Sequence, residues 1–133
     1  MLTPEQINNL PPDTKKEYLQ TALLLDQKKK DQSVRDDFMS FVKYIWPEFI
    51  EGEHHKIMAD KFNKVASGDI KRLIINMAPR HTKSEFASNL LPAWMIGNNP
   101  KLKIIQATHN AELAVRFGRK AKTVIDSEEY QRI

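Results

Sequence analysis

A chain of 133 residues, 41% hydrophobic and 29% charged, has the composition of a single globular domain long enough to bury a core. Its lack of cysteine excludes disulfides and thiolate metal sites and fits a reducing compartment, and the absence of a membrane-length apolar run or a signal-peptide pattern favours a cytoplasmic protein. Lysine and arginine number 21 against 17 acidic residues, a net charge of +4 that is compatible with nucleic acid without pointing to it.

Residues 1–12 are polar, carry the Pro11-Pro12 pair, and read as a loosely held arm with at most one turn after Thr3-Pro4. A helix is predicted from Asp13, capped by Asp13 or Thr14, with Tyr18, Ala22 and Leu25 on one side. Lys28, Lys29 and Lys30 close it at the negative end of its dipole, a solvated helix end with DNA contact as the alternative. Ser33 is predicted to begin a second helix, with Asp36 completing a capping box and Phe38, Phe41, Val42 and Ile45 as the apolar stripe. Trp46-Pro47 ends it. A third helix runs from Glu53-His54-His55 to about Ser67-Gly68, turning Met58, Phe62, Val65, Ala66 and His55 toward the core.

The run Leu73-Ile74-Ile75-Asn76-Met77 is short, apolar and β-branched, which predicts a buried strand that Pro79 terminates. A polar loop, Arg80-His81-Thr82-Lys83-Ser84, leads into a helix with Phe86, Leu90, Leu91, Trp94 and Met95 on one face. Gly97-Asn98-Asn99-Pro100 is a turn, and residues 102–108 (LKIIQAT) read as a second buried strand. Asn110 caps a long helix to about Asp126, with Leu113, Phe117, Ala121 and Val124 inward and Arg116, Arg119 and Lys120 opposite; Ser127-Glu128-Glu129 starts another turn. Two strands separated by a helix predict an α/β fold, a parallel, right-handed sheet arrangement with flanking helices, preceded by an N-terminal helical segment.

Strand, polar loop, Lys-Ser, helix is the order of a phosphate-binding loop. A helix N-terminus presents unpaired N–H groups and the positive end of the dipole; a lysine there reaches the β- and γ-phosphates, and the next hydroxyl holds Mg²⁺. Counting back from Lys83 in G-x-x-x-x-G-K-S/T, however, the glycine positions hold Met77 and Thr82. If position 82 needs φ > 0, threonine there costs about 1–2 kcal/mol. The adjacent His54 and His55 do not make a zinc site, because neighbours on a helix point about 100° apart and no cysteine completes the set.

The string INMAPRHTKSEFAS resembles the variant Walker A loop of the large terminase subunits of tailed double-stranded DNA bacteriophages, which reads roughly P-P-R-H-G-K-S after an apolar strand. Pro79, Arg80, His81, Lys83 and Ser84 match; Ala78 stands for a proline and Thr82 for the glycine. The resemblance implies ATP and Mg²⁺ as cofactors. Lys83 would hold the β/γ-phosphates, Ser84 the Mg²⁺, and Arg80 the charge developing on the γ-phosphate. Backbone N–H groups from His81 through Thr82 to Ser84 would cradle the phosphates, with Glu85 in the same ligand set. Upstream, Trp46, Pro47, Phe49, His54 and His55 are similar to an adenine-recognition segment, W-P-x-F-x-x-x-x-H-H, although a satisfied histidine at the core margin explains His55 equally well.

The likeness covers roughly residues 34–133. It implies an arm and helix over 1–32 and the first half of a P-loop ATPase domain over 33–133, with the Walker B strand and nuclease domain expected in a longer parent. The implied parent is an ATPase that drives double-stranded DNA into a procapsid. Its expected partners are the portal, the small terminase subunit and sister copies in a ring. The implied place is the cytoplasm of the infected bacterium, outside the mature virion. Arg116, Arg119 and Lys120 would contact DNA phosphates or a neighbouring subunit's nucleotide, or form a merely solvated face. A helicase-like P-loop enzyme and a nucleotide-independent DNA-binding or assembly module are the rivals, the latter drawing its support from Thr82.

Overall fold

The computed structural model describes residue 6 and residues 10–133, so the expected turn after Thr3-Pro4 lies outside the described residues. The chain divides into two units, residues 1–32 and 33–133. Its elements are α1 (Pro12–Asp36), α2 (Phe38–Ile45), α3 (Glu53–Ala66), a π-helical segment (Glu85–Leu90), α4 (Leu91–Asn98), α5 (Ala111–Ile125) and α6 (Glu128–Gln131).

The α/β expectation is overturned. Among the described residues the chain is helical and forms no strand or sheet, so it is not a parallel-sheet P-loop fold. The physical reason lies in what the two apolar runs pack on. Along residues 73–77 burial alternates, with Leu73, Ile75 and Met77 half-buried and Ile74 and Asn76 exposed. That period-two pattern needs only an apolar surface beneath it, and the helical core provides one, since Leu73, Ile75 and Met77 pack against its buried residues. Among the described residues no second backbone is paired along either side. In residues 102–108 Ile105 is 94% exposed, and the segment is tied by a side chain, Gln106 Nε2 donating to Ser88 O at 2.6 Å, in place of a ladder.

Within the first unit, α1 carries Leu19, Leu23, Leu24 and Leu25 exposed, with a solvent-side pair between Lys30 and Asp26 at 3.1 Å. The lysine run does not close this helix. Residues 28–36 contain neither glycine nor proline and are largely good helix formers, so the helix continues past Ser33 to Asp36. The cap expected at Ser33 falls instead at Asp37. Its carboxylate accepts from Ser40 N (2.7 Å), Ser40 Oγ (2.8 Å) and Asn63 Nδ2 (2.8 Å), while Asn63 Oδ1 accepts from Phe38 N (2.9 Å). Burial alone would raise the Asp37 pKa; the bonds from Asn63 and Ser40 outweigh it and leave it lowered.

The second unit is built around Phe38, which is fully buried. Its ring meets Phe62 (5.2 Å), Phe86 (5.5 Å) and Trp94 (5.5 Å) edge-on, the arrangement the aromatic quadrupole favours. The last carbonyls of α1 have no intrahelical partner, and α4 supplies them: Trp94 Nε1 donates to Val34 O (3.1 Å) and Asn98 Nδ2 to Arg35 O (2.8 Å). Tyr130 of α6 reaches across to donate its hydroxyl to Ala93 O at 2.8 Å. Gly97 permits that approach, because a Cβ there would lie 2.7 Å from the Tyr130 hydroxyl oxygen.

Helical geometry starts at Lys83 and continues to Asn98, but it widens to π over residues 85–90. Pro92 explains the widening. It has no N–H for Ser88 O and its ring crowds that carbonyl, so the turns before it open. The freed Ser88 O is the one that takes Gln106.

Candidate functional site

The loop from Met77 to Glu85 ends at a helix whose first i→i−4 bond is Phe86 N to Thr82 O, at 3.0 Å. The N–H groups of Lys83, Ser84 and Glu85 therefore precede the first intrahelical bond and point out of the helix start. Just before them the backbone turns left-handed twice, with φ 66° at Arg80 and 56° at Thr82, and His81 between them is outside the positive region. Alternation of this kind converges successive N–H groups into a concavity that suits an anion. Residues 79–85 line a cleft open to solvent. Thr82 thus adopts the conformation that glycine takes freely; it is β-branched, so the strain is real.

Side chains fix this loop from three directions. Lys83 Nζ donates to Met77 O (2.7 Å), closing the loop's mouth. His81 Nδ1 donates to Pro79 O (2.9 Å). Thr82 Oγ1 donates to His81 O (2.7 Å) and accepts from His55 Nε2 (2.5 Å). The ring of His55 is in turn oriented by its own helix start, where Gly52 N donates to His55 Nδ1 (2.9 Å) and Gly52 O accepts from His55 N (3.0 Å). A donor at Gly52 requires an unprotonated Nδ1, so the Nε2–H tautomer follows from the bond itself.

Aromatic rings gather on the same side. His54 and His55 lie 3.8 Å apart, His54 and His81 5.6 Å, Phe49 and His55 4.8 Å, and Trp46 and Phe49 5.3 Å. The structure therefore brings His54, His55, His81 and Thr82 into one cluster, with Trp46 joined to it through Phe49. Arg80 and Ser84 are exposed, while Lys83 and Glu85 are half-buried. Among the described residues no group of three His, Cys, Asp or Glu is placed to hold a metal ion, so a Mg²⁺ here would depend on the Ser84 hydroxyl and on phosphate oxygens.

The basic residues of α5 part company. Arg116 and Arg119 are exposed along a shallow face, whereas Lys120 is half-buried and paired with Glu85. Burial pushes the Glu85 carboxyl up, but its bonds with Lys120 and Asn89 and the nearby Arg116 charge together hold it below its ordinary value. Glu85 thereby links the loop's helix to α5. Gly52 takes part in the site without having been singled out in the sequence, although a Gly-x-x-His spacing at a helix start marks it; Phe49, named there with the W-P-x-F segment, takes part through its ring against His55. No family model, curated protein or solved structure matches the chain.

Proposed function

We propose that the 79–85 loop binds the phosphates of a nucleoside triphosphate, and that the chain is the ATP-binding portion of a viral terminase large subunit that powers translocation of double-stranded DNA into a procapsid. The observation that carries the reading is the left-handed backbone at Arg80 and Thr82, set directly before a helix that opens with Lys83 and Ser84. A helix start needs no sheet behind it to attract an anion, because the unpaired N–H groups and the dipole are its own.

In this reading Lys83 exchanges the Met77 carbonyl for phosphate oxygens, and Arg80, already exposed, closes over the γ-phosphate. Mg²⁺, when bound with the nucleotide, supplies charge neutralisation across the β- and γ-phosphates. The Ser84 hydroxyl is the chain's ligand to it. The exposed guanidiniums of Arg116 and Arg119 meet duplex phosphates. Portal, small subunit and sister copies are the partners the reading implies.

Equilibrium binding of labelled ATP with Mg²⁺ tests it. Wild type binds, and Lys83→Ala loses about 10- to 100-fold in affinity, as expected for one charged phosphate contact, while it still unfolds cooperatively with a melting temperature lowered only by the loss of the bond to Met77 O. Equal affinity in the two proteins removes the loop from nucleotide binding.

A further inference from the structure

Thr82 poses a question that the phosphate-binding reading leaves open. Its φ of 56° disfavours every residue but glycine, and a β-branched side chain most of all. Such a conformation persists only where the surroundings over-determine it. Its hydroxyl has two partners: His55 Nε2 at 2.5 Å and the preceding carbonyl, His81 O, at 2.7 Å. The second of these is local and travels with the loop. The first is anchored elsewhere in the fold, on α3.

His55 is suited to be that anchor. It is 94% removed from solvent, and Phe49, His54 and Phe86 surround its ring at 4.8, 3.8 and 5.2 Å. Both ring nitrogens are committed inside the protein, one to Gly52 N and the other to Thr82. Neither is left to read the edge of a base, so the adenine-contact role that the resemblance implied for His55 has no free atom to serve it.

We propose that His55 is a positioning residue for the 79–85 loop: through its hydrogen bond to Thr82 it holds the backbone in the conformation that receives an anion. The inference rests on the phosphate-binding reading for its functional consequence, but the geometric link stands by itself. Threonine at the glycine position then has a use. Glycine would adopt the left-handed turn unaided and would also leave it readily, whereas threonine adopts it only while the imidazole is in place.

Epistasis tests this in the full chain, with MgATP as probe and melting temperature as control. His55→Phe fills the same apolar surroundings without the donor and weakens MgATP binding about tenfold, the scale of the one lost hydrogen bond that held the loop. His55→Gln, whose amide nitrogen reaches toward the same place, retains most of the affinity. Thr82→Gly removes the φ penalty, so adding His55→Phe to it changes affinity by less than about threefold. A His55→Phe effect of the same size in both backgrounds overturns the proposal, as does no effect in either. Should His55→Phe fail to fold, nitrogen NMR of the wild-type imidazole decides: an Nε2-protonated tautomer is expected, and Nδ1 protonation refutes the relay. Should wild type bind no MgATP, the phosphate-binding reading falls by itself. The positioning role is then decided by the NMR-measured φ of Thr82, positive in wild type and changed in His55→Phe; a φ that stays positive in the variant overturns it.

Discussion

Phe38 and Thr82 are held by opposite kinds of physics. Around Phe38 every contribution agrees: three aromatic rings meet it edge-on, its amide is bonded to Asn63, and α2 is capped one residue earlier by Asp37. Around Thr82 local preference and tertiary structure disagree, and the side chain that reaches its hydroxyl from another element is His55 of α3. The comparison teaches where to look for function in a chain with few reactive groups. A consistent region stabilises the fold, whereas a region held against its own preference marks a site.

Cutting into the consistent region has the largest effect. Phe38→Ala leaves a cavity among Phe62, Phe86 and Trp94 and lowers stability by about 3–5 kcal/mol, read from the urea midpoint. A loss below about 1 kcal/mol, within the range of ordinary surface substitutions, would mean that the ring cluster is not the organising core. Asp37→Ala comes next, at about 1–2 kcal/mol, because it strips the α2 cap and leaves Asn63 half-satisfied. The Asp37 pKa is lowered in the fold, so this contribution is present above its ordinary value of 3.8 and is lost as pH falls through the folded value. A wild type and an Asp37→Ala variant should therefore converge in stability only in strong acid; parallel curves down to that range contradict the cap.

The two regions were unequally legible in the sequence. The core stripes could largely be read because helical periodicity depends only on a residue's own neighbours: Phe38, Phe41, Val42, Met58, Phe62, Phe86, Leu90 and Trp94 are all buried, whereas Ile45, Val65, Leu91 and Met95 are half-buried and Ala66, expected inward at the end of its helix, is exposed. Asn110 caps α5 as its position indicated, its side chain accepting from Leu113 N at 2.8 Å. The sheet could not be read, because a strand is a relation between two backbones. The Leu73–Met77 pattern reports only that one face is covered, and helices cover it. The π-helical segment was written in Pro92, but its meaning depends on Ser88 O finding Gln106, which sequence spacing does not reveal. In the site, the Lys83-Ser84 loop and the His54-His55 pair were both visible as separate features. Their connection through Thr82 was not, since it spans 27 positions.

The smallest effect bears on that connection, and its sign discriminates. Burial lowers the His55 pKa first; the nearby charge of His54 adds to this, Glu51 opposes it, and His81 contributes last. Glu51 is itself engaged by Lys43 at 2.5 Å, which limits the attraction it exerts. A histidine lowered in the fold binds fewer protons there than in the unfolded chain. Stability from neutral His55 is therefore fully present above the ordinary value of 6.5 and is lost as pH falls from there through the folded value. The carboxylates do not confuse the measurement, because Asp37 and Glu85 lose their contributions only below their ordinary values of 3.8 and 4.5. Urea midpoints from about pH 8 to about pH 5 should fall for wild type, while His55→Gln stays flatter over the same interval. A wild-type midpoint that rises on acidification would mean that His55 is stabilised as the cation, which the Gly52 N–H donor forbids. If the slope survives intact in His55→Gln, the titrating group is elsewhere and His55 is not the neutral link between α3 and Thr82.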